Sequence, residues 1–227
     1  MACGHKRPCD NTRIMSSQKP RIPRECILNS STKCNQKSKI CEEYSPQRVF
    51  LDIPYKESFV TTELAIWTTV SMHSMKPVLV REERTDEPRL CRVCRMICSC
   101  KYGIADFSIS RINVGFECGL LKAWGKPTAV LIYDRYKFYK IFSDYQGIDP
   151  IGHKYDRKKL ITDLSDWIET NWQDGDKEVP RAVIFKVADA VIEAYQGSYS
   201  YDKINLFYHD IAKVFGALIE QAKKPPV

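Results

Sequence analysis

No apolar run in the chain approaches the ~18–20 residues a membrane-spanning helix requires, so a helical membrane protein is not expected. No basic segment followed by an apolar stretch opens it in the manner of a secretory signal, and the expected location is the cytoplasm. Neither G-x-G-x-x-G nor G-x4-G-K-[ST] occurs, which argues against a Rossmann dehydrogenase and a P-loop NTPase. Large apolar residues are scarce in residues 1–47, which hold four prolines and show neither helical nor strand periodicity. Such a segment cannot bury enough surface to fold by itself.

That same segment is rich in cysteine. Five of the ten cysteines fall there, with one histidine: Cys3, His5, Cys9, Cys26, Cys34 and Cys41. Without a secretory signal, cysteines point to thiols or metal ligands rather than disulfides. Zinc binding itself supplies folding energy, so these six are candidate ligands of a structural zinc. No C-x2-C pair occurs, however, and Cys-x-His-x3-Cys followed by gaps of sixteen, seven and six residues matches no common zinc module. Free thiols on a flexible or surface-packed arm are the competing reading. Cys91, Cys94 and Cys98 recur at helical spacing, where three thiols rarely close a tetrahedral site; they are expected as small buried hydrophobes.

Charge divides the chain in the same place. Residues 1–47 carry nine Lys or Arg against four acids, or +5 of the total +7, so the rest is near neutral at +2. A basic arm on a near-neutral body permits an anionic or nucleic-acid partner without demanding one.

From residue 48 the pattern changes to short apolar runs alternating with amphipathic stretches. Strands are expected at 48–53, 77–80, 102–106, 128–133 and about 149–153, with helices at 58–75, 90–98, 116–124 and 158–172. That order predicts an α/β domain over residues 48–173, a doubly wound parallel sheet of the flavodoxin-like kind. Two further helices, roughly 179–195 and 201–223, follow a 174–177 linker and make residues 174–227 a helical hairpin. A hairpin this small is not stable alone. It packs back on the domain, or it makes an oligomer or a regulatory protein or nucleic-acid contact.

Around residues 102–133 the acids are unusually placed. Asp106 ends a strand, and Glu117 falls near the start of the next helix, among Phe116, Cys118, Leu120 and Leu121. Ligands of open α/β sheets bind outside the carboxyl ends of the strands, which puts both acids on that rim. Plainer readings exist for each: Glu117 in a first turn complements the helix dipole, and Asp106 serves as a cap or turn residue.

Five segments resemble one family: Val49-Phe-Leu-Asp-Ile-Pro-Tyr55, Cys94 to Ser108, Asn113-Val-Gly-Phe-Glu117-Cys-Gly-Leu-Leu, Gly125-Lys-Pro127, and Ser143-Asp-Tyr-Gln-Gly-Ile-Asp149. They are similar to bacterial nucleoside 2-deoxyribosyltransferase-like proteins, relatives of TIR domains that include effectors of antiphage defence. The resemblance implies an N-glycosidase acting on NAD or another nucleotide. Glu117 would be the catalytic carboxylate and Asp106 the acid that positions the sugar. Pro54 and Tyr55 would contact the base, Ser108 and Asn113 would face sugar or phosphate, and Asp144 would lie at the substrate. Arg81 or Arg111 would neutralise phosphate. The chemistry needs no cofactor, since a carboxylate alone stabilises or traps an oxocarbenium-like sugar. The loop Ile109-Ser-Arg-Ile-Asn113 lacks the Asp-Ser-Gly of many transferases, which favours hydrolysis over base exchange. The alternative is a nucleotide- or nucleic-acid-binding sensor that uses the same pocket without turnover.

Overall fold

A computed structural model describes residues 43–82, 88–109, 111–134, 148–175 and 178–223. The candidate zinc ligands Cys3, His5, Cys9, Cys26, Cys34 and Cys41 lie outside these residues, as does Asp144. Five strands, β1 (Ser45–Asp52), β2 (Lys76–Val78), β3 (Cys100–Asp106), β4 (Thr128–Ile132) and β5 (Ile151–Gly152), form one all-parallel sheet in the order β2-β1-β3-β4-β5. This is an α/β architecture consistent with the flavodoxin-like fold. The chain runs outward from β1 to β2 and then returns to β3 on the other side. The strand order therefore reverses between β1 and β3, where ligands of such sheets bind.

Among the described residues six α-helices accompany the strands: α1 (Val60–Met72), α2 (Arg89–Ser99), α3 (Ile112–Ala123), α4 (Arg157–Asn171), α5 (Arg181–Ser198) and α6 (Ile204–Lys223). Side chains alternate across a strand, and here the alternation sorts the core into two faces. Val49, Leu51, Ile104, Ala129 and Leu131 join a cluster with residues of α1 and α4. On the other face, Phe50 meets Val93, Met96 and Ile97 of α2 and Leu121 of α3, while Ala105, Val130 and Ile132 meet Val114 and Cys118 of α3. Strands covered on both faces read as continuous apolar runs, as β4, Thr128-Ala-Val-Leu-Ile132, does.

Unlike the other helices on the sheet, α1 has no polar side. Nearly all of Val-Thr-Thr-Glu-Leu-Ala-Ile-Trp-Thr-Thr-Val-Ser-Met is buried, so other elements must cover this helix on nearly every side. The sheet covers one side of α1 and the C-terminal helices cover the other. Trp67 meets Phe215 of α6 edge-on, with centroids 5.0 Å apart, and lies 5.8 Å from the ring of Tyr208. Ile184, Val187, Ala188, Val191 and Ile192 of α5 belong to the same core as α1. Of the fates open to the hairpin, the structure has it pack back on the domain. The turn before α5 is pinned as well: Asp174 accepts bonds from the Tyr102 hydroxyl (2.6 Å) and from Lys101 Nζ (2.5 Å), and Trp172 stacks on the Tyr102 ring at 4.7 Å.

In the central strand, Gly103 allows α3 to sit close. A Cβ there would stand 2.7 and 2.8 Å from the two methyls of the buried Leu121. Gly103→Ala is therefore expected to destabilise the fold by about 1–3 kcal/mol, the usual range for an overpacked core. Leu121→Val in the same chain should return part of that loss, as read by denaturant unfolding. Among the described residues, no helix is long and apolar enough to cross a membrane.

Candidate active site

The carboxyl ends of β1 and β3 each finish in a buried acid, Asp52 and Asp106. In the sheet register, Asp52 pairs with Ala105, so the two acids are one residue apart along the rim and turn to opposite faces. Asp52 has the parity of Phe50 and faces α3. Asp106 has the parity of Ile104 and faces the α1 and α4 side. The rim thus carries two acid clusters, back to back.

On the α3 side, Asp52 meets Glu117. The helix begins at Ile112, four residues before the expected start, because Ile112, Asn113 and Val114 continue it without any side-chain cap at Arg111. Glu117 consequently falls in the second turn, where the dipole explanation no longer serves it. Its carboxyl faces that of Asp52 at hydrogen-bonding range. Asp52 also accepts the main-chain N–H of Cys118, while its Oδ2 is buried and meets no N–H or O–H donor. Two carboxyls in such a place are satisfied by one proton between them. Burial first, then the Glu117 charge and hydrogen bond, and last Asp106, hold the Asp52 carboxyl well above the usual carboxylate range. Burial also raises Glu117, against the opposing pull of the bond to Asp52 and of the Arg89 charge. Both acids are thus raised, and the pair shares one proton.

The pair opens on a cleft of about 240 Å³, lined by Asp52, Ile53, Pro54, Tyr55, Arg89, Arg111, Asn113, Val114 and Glu117. Tyr55 forms one wall. Its hydroxyl accepts the main-chain N–H of Arg81, and burial, with Glu117 and Asp52 nearby, keeps it protonated. Arg89, in the first turn of α2, and Arg111, just before α3, are exposed where they line this cleft. A larger cavity of about 350 Å³ lies between α1, α4 and α5, but it is lined by Thr61, Thr62, Tyr155, Arg157, Leu160, Ile192 and Gln196 and holds no carboxylate.

Asp106 belongs to the other cluster. Its Oδ1 accepts the Ser108 N–H at 2.7 Å, and its Oδ2 lies 3.5 Å from Nε2 of the fully buried His153, just past β5. The Ser108 hydroxyl is 2.9 Å from the same Nε2, and the Tyr155 N–H donates to Nδ1 at 3.1 Å. Because Nδ1 is an acceptor, the neutral ring carries its proton on Nε2. Serine and carboxylate share one ring nitrogen, whereas a nucleophilic relay needs them on different ones. This cluster is a set of hydrogen-bonding groups, not an activated serine. The turn that holds it is strained: Lys154 and Tyr155 have φ of 50° and 59°, unusual for residues with side chains.

Of the residues expected at the site, Pro54, Tyr55, Arg111, Asn113 and Glu117 line one cleft together. Asp106 and Ser108 sit behind it with His153. Arg81 does not line the cleft; it is engaged with Glu63 of α1. Asp52, Arg89 and His153 are additions. A signal for two of them was present in the sequence, since each ends or directly follows a strand at the rim: Asp52 closes the apolar run Val49-Phe-Leu, and His153 follows Ile151-Gly152. Cys98, Cys100 and Cys118 are buried, and Cys91 and Cys94 are half-buried. Among the described residues, no three His, Cys, Asp or Glu side chains are placed to hold a metal ion. Compared with family models, curated proteins and solved structures, the chain finds no match.

Proposed function

We propose that the protein is an N-glycosidase that cleaves the ribosyl–base bond of NAD or another nucleotide, using Asp52 and Glu117 as an acid and a carboxylate. The observation that carries this reading is the buried carboxyl pair opening on a cleft bordered by two arginines. Two neighbouring buried acids that share one proton can take opposite roles, one as acid and one as carboxylate. Asp52 donates its proton to a departing purine or pyrimidine, which then leaves neutral. The nicotinamide of NAD is cationic while bound and leaves neutral without a proton, so there the work falls to Glu117. Glu117, still charged, stabilises the cationic sugar or traps it, and water completes hydrolysis. Tyr55 offers a face for a base or sugar, and Arg89 and Arg111 offer charge to a phosphate. Asp106, with Ser108 and His153, faces the other side of the rim, so the sugar would be held by groups that line the cleft itself.

The likeness to deoxyribosyltransferase-like and TIR-like proteins supports the same chemistry and extends it to a regulated effector of bacterial antiphage defence. The residues before position 43 would then serve regulation, partner binding or a structural zinc. A second reading, a sensor that binds a nucleotide or nucleic acid without turnover, is favoured by the two arginines, since they would hold phosphate whether or not a bond is broken. Base release by wild type and Glu117→Gln, followed by chromatography over NAD, NADP, nucleosides and deoxynucleotides, separates the two. The glycosidase predicts release by wild type and a loss on the order of a thousandfold in the variant, with nucleotide binding kept. Binding by both proteins with release by neither, in assembled as well as isolated preparations, would leave the sensor.

A further inference from the structure

Glycosidic chemistry makes no use of the buried charge next to the cleft. The Arg81 guanidinium is paired with Glu63, whose side chain has no exposed surface. It lies 4.7 Å from the ring centroid of Tyr55, 5.6 Å from that of Tyr208 and 5.9 Å from that of Tyr201. The Tyr208 hydroxyl donates to the same Glu63 oxygen. The main chain of Arg81 is held from both directions: Asn205 Nδ2 of α6 donates to its carbonyl at 3.0 Å, and its own N–H goes to the Tyr55 hydroxyl. One residue therefore joins the C-terminal helix to the wall of the cleft.

We infer that Asn205 and Tyr208 are positioning residues that fix Tyr55 through Arg81, so that nucleotide affinity in the cleft is set from the C-terminal helix. The inference rests on the reading of this cleft as a nucleotide site. The Tyr55 ring is a wall of the cleft, and its hydroxyl, once it accepts from Arg81, keeps its own proton to donate. A wall held in advance need not be ordered when the ligand arrives, and immobilising one such side chain typically changes affinity by roughly three- to tenfold. The effect falls on ligand and transition state alike, so it appears in KM and not in kcat.

The test uses the full chain carrying Glu117→Gln, with adenosine 5′-monophosphate as the probe and titration calorimetry as the measurement. Calorimetry reports the competent fraction separately from the affinity, so partial unfolding does not pass for weaker binding. Asn205→Ala and Tyr208→Phe should each raise Kd roughly three- to tenfold. Tyr199→Phe is the control, since the Tyr199 hydroxyl donates to Asp210 on the same hairpin at 2.7 Å; it should leave Kd unchanged. In a Tyr55→Leu background, Asn205→Ala should add nothing, a coupling that a general loss of stability would not produce. If the probe binds and the hairpin variants match the control, the positioning role is overturned and the nucleotide cleft stands. If the probe does not bind and wild type releases no base from any nucleotide, the reading of the cleft falls and takes this inference with it.

Discussion

Asp52→Asn is expected to slow release of a purine or pyrimidine base by about 10²–10⁴-fold, the usual worth of a positioned general acid, while the protein remains folded. Nicotinamide release from NAD, which needs no proton, should change far less. The side chain is buried and its carboxyl is held well above the usual carboxylate range, and an amide reproduces the shape and the neutrality of the protonated form. What it cannot do is give up a proton to a departing base. The pH profile carries the stronger test. In wild type, kcat/KM should fall as pH rises through the raised value of Asp52, because the acid is being ionised; in Asp52→Asn that alkaline limb should vanish. A limb that survives the substitution places the acid elsewhere.

Stability should move the opposite way. Asp52 and Glu117 both bind protons more tightly in the folded chain than in the unfolded one. For raised acids, stability is lost as pH climbs from their unfolded values, near 4, through the folded ones. Asp52→Asn removes the Asp52 share of that loss, so the variant should melt above wild type at neutral and alkaline pH and converge with it in acid. A less active, more stable variant is the trade expected of a strained site.

The second large effect concerns the fold. Arg81→Met should destabilise the protein by about 3–5 kcal/mol, because it leaves the fully buried Glu63 carboxylate without its cation. For a chain of this size that is a fall in Tm of roughly 6–20 °C. Adding Glu63→Gln should bring stability back to within about 1–2 kcal/mol of wild type, since a missing pair costs far less than a broken one. An ordinary surface pair would show less than about 1 kcal/mol for either change. If Arg81→Met alone falls in that small range, the pair is not buried in solution.

The sheet was legible because β1, β3 and β4 each contain a short run buried on both faces, Val49-Phe-Leu51, Tyr102-Gly-Ile-Ala105 and Ala129-Val-Leu-Ile132, with polar residues soon after. The start of α3 was not. Its N-cap position is Arg111, which makes no side-chain cap, while Asn113, a usual capping residue, lies inside the helix, whose start rests on tertiary packing of Val114 and Cys118. The site was half legible for a related reason. Strand ends and helix starts can be placed on the rim from periodicity, which gathered Pro54, Tyr55, Asn113 and Glu117. Which acid faces which depends on strand register, and no local pattern encodes register across fifty residues of chain. Hence Glu117 was matched with Asp106, although it shares its proton with Asp52. Arg81 read as one charge in a polar loop, because its partners Glu63, Asn205 and Tyr208 come from elements that meet only in the folded protein.

The covering of α1 by α6 also bears on synthesis. More than a hundred residues separate the two helices in the chain. At ~5–20 residues per second on the ribosome, the second follows the first by roughly ten seconds. Through that interval Trp67 and its neighbours have the sheet on one side at most and water on the other. A nascent chain in this condition presents a sticky surface to chaperones, and its burden on them should rise with expression rate.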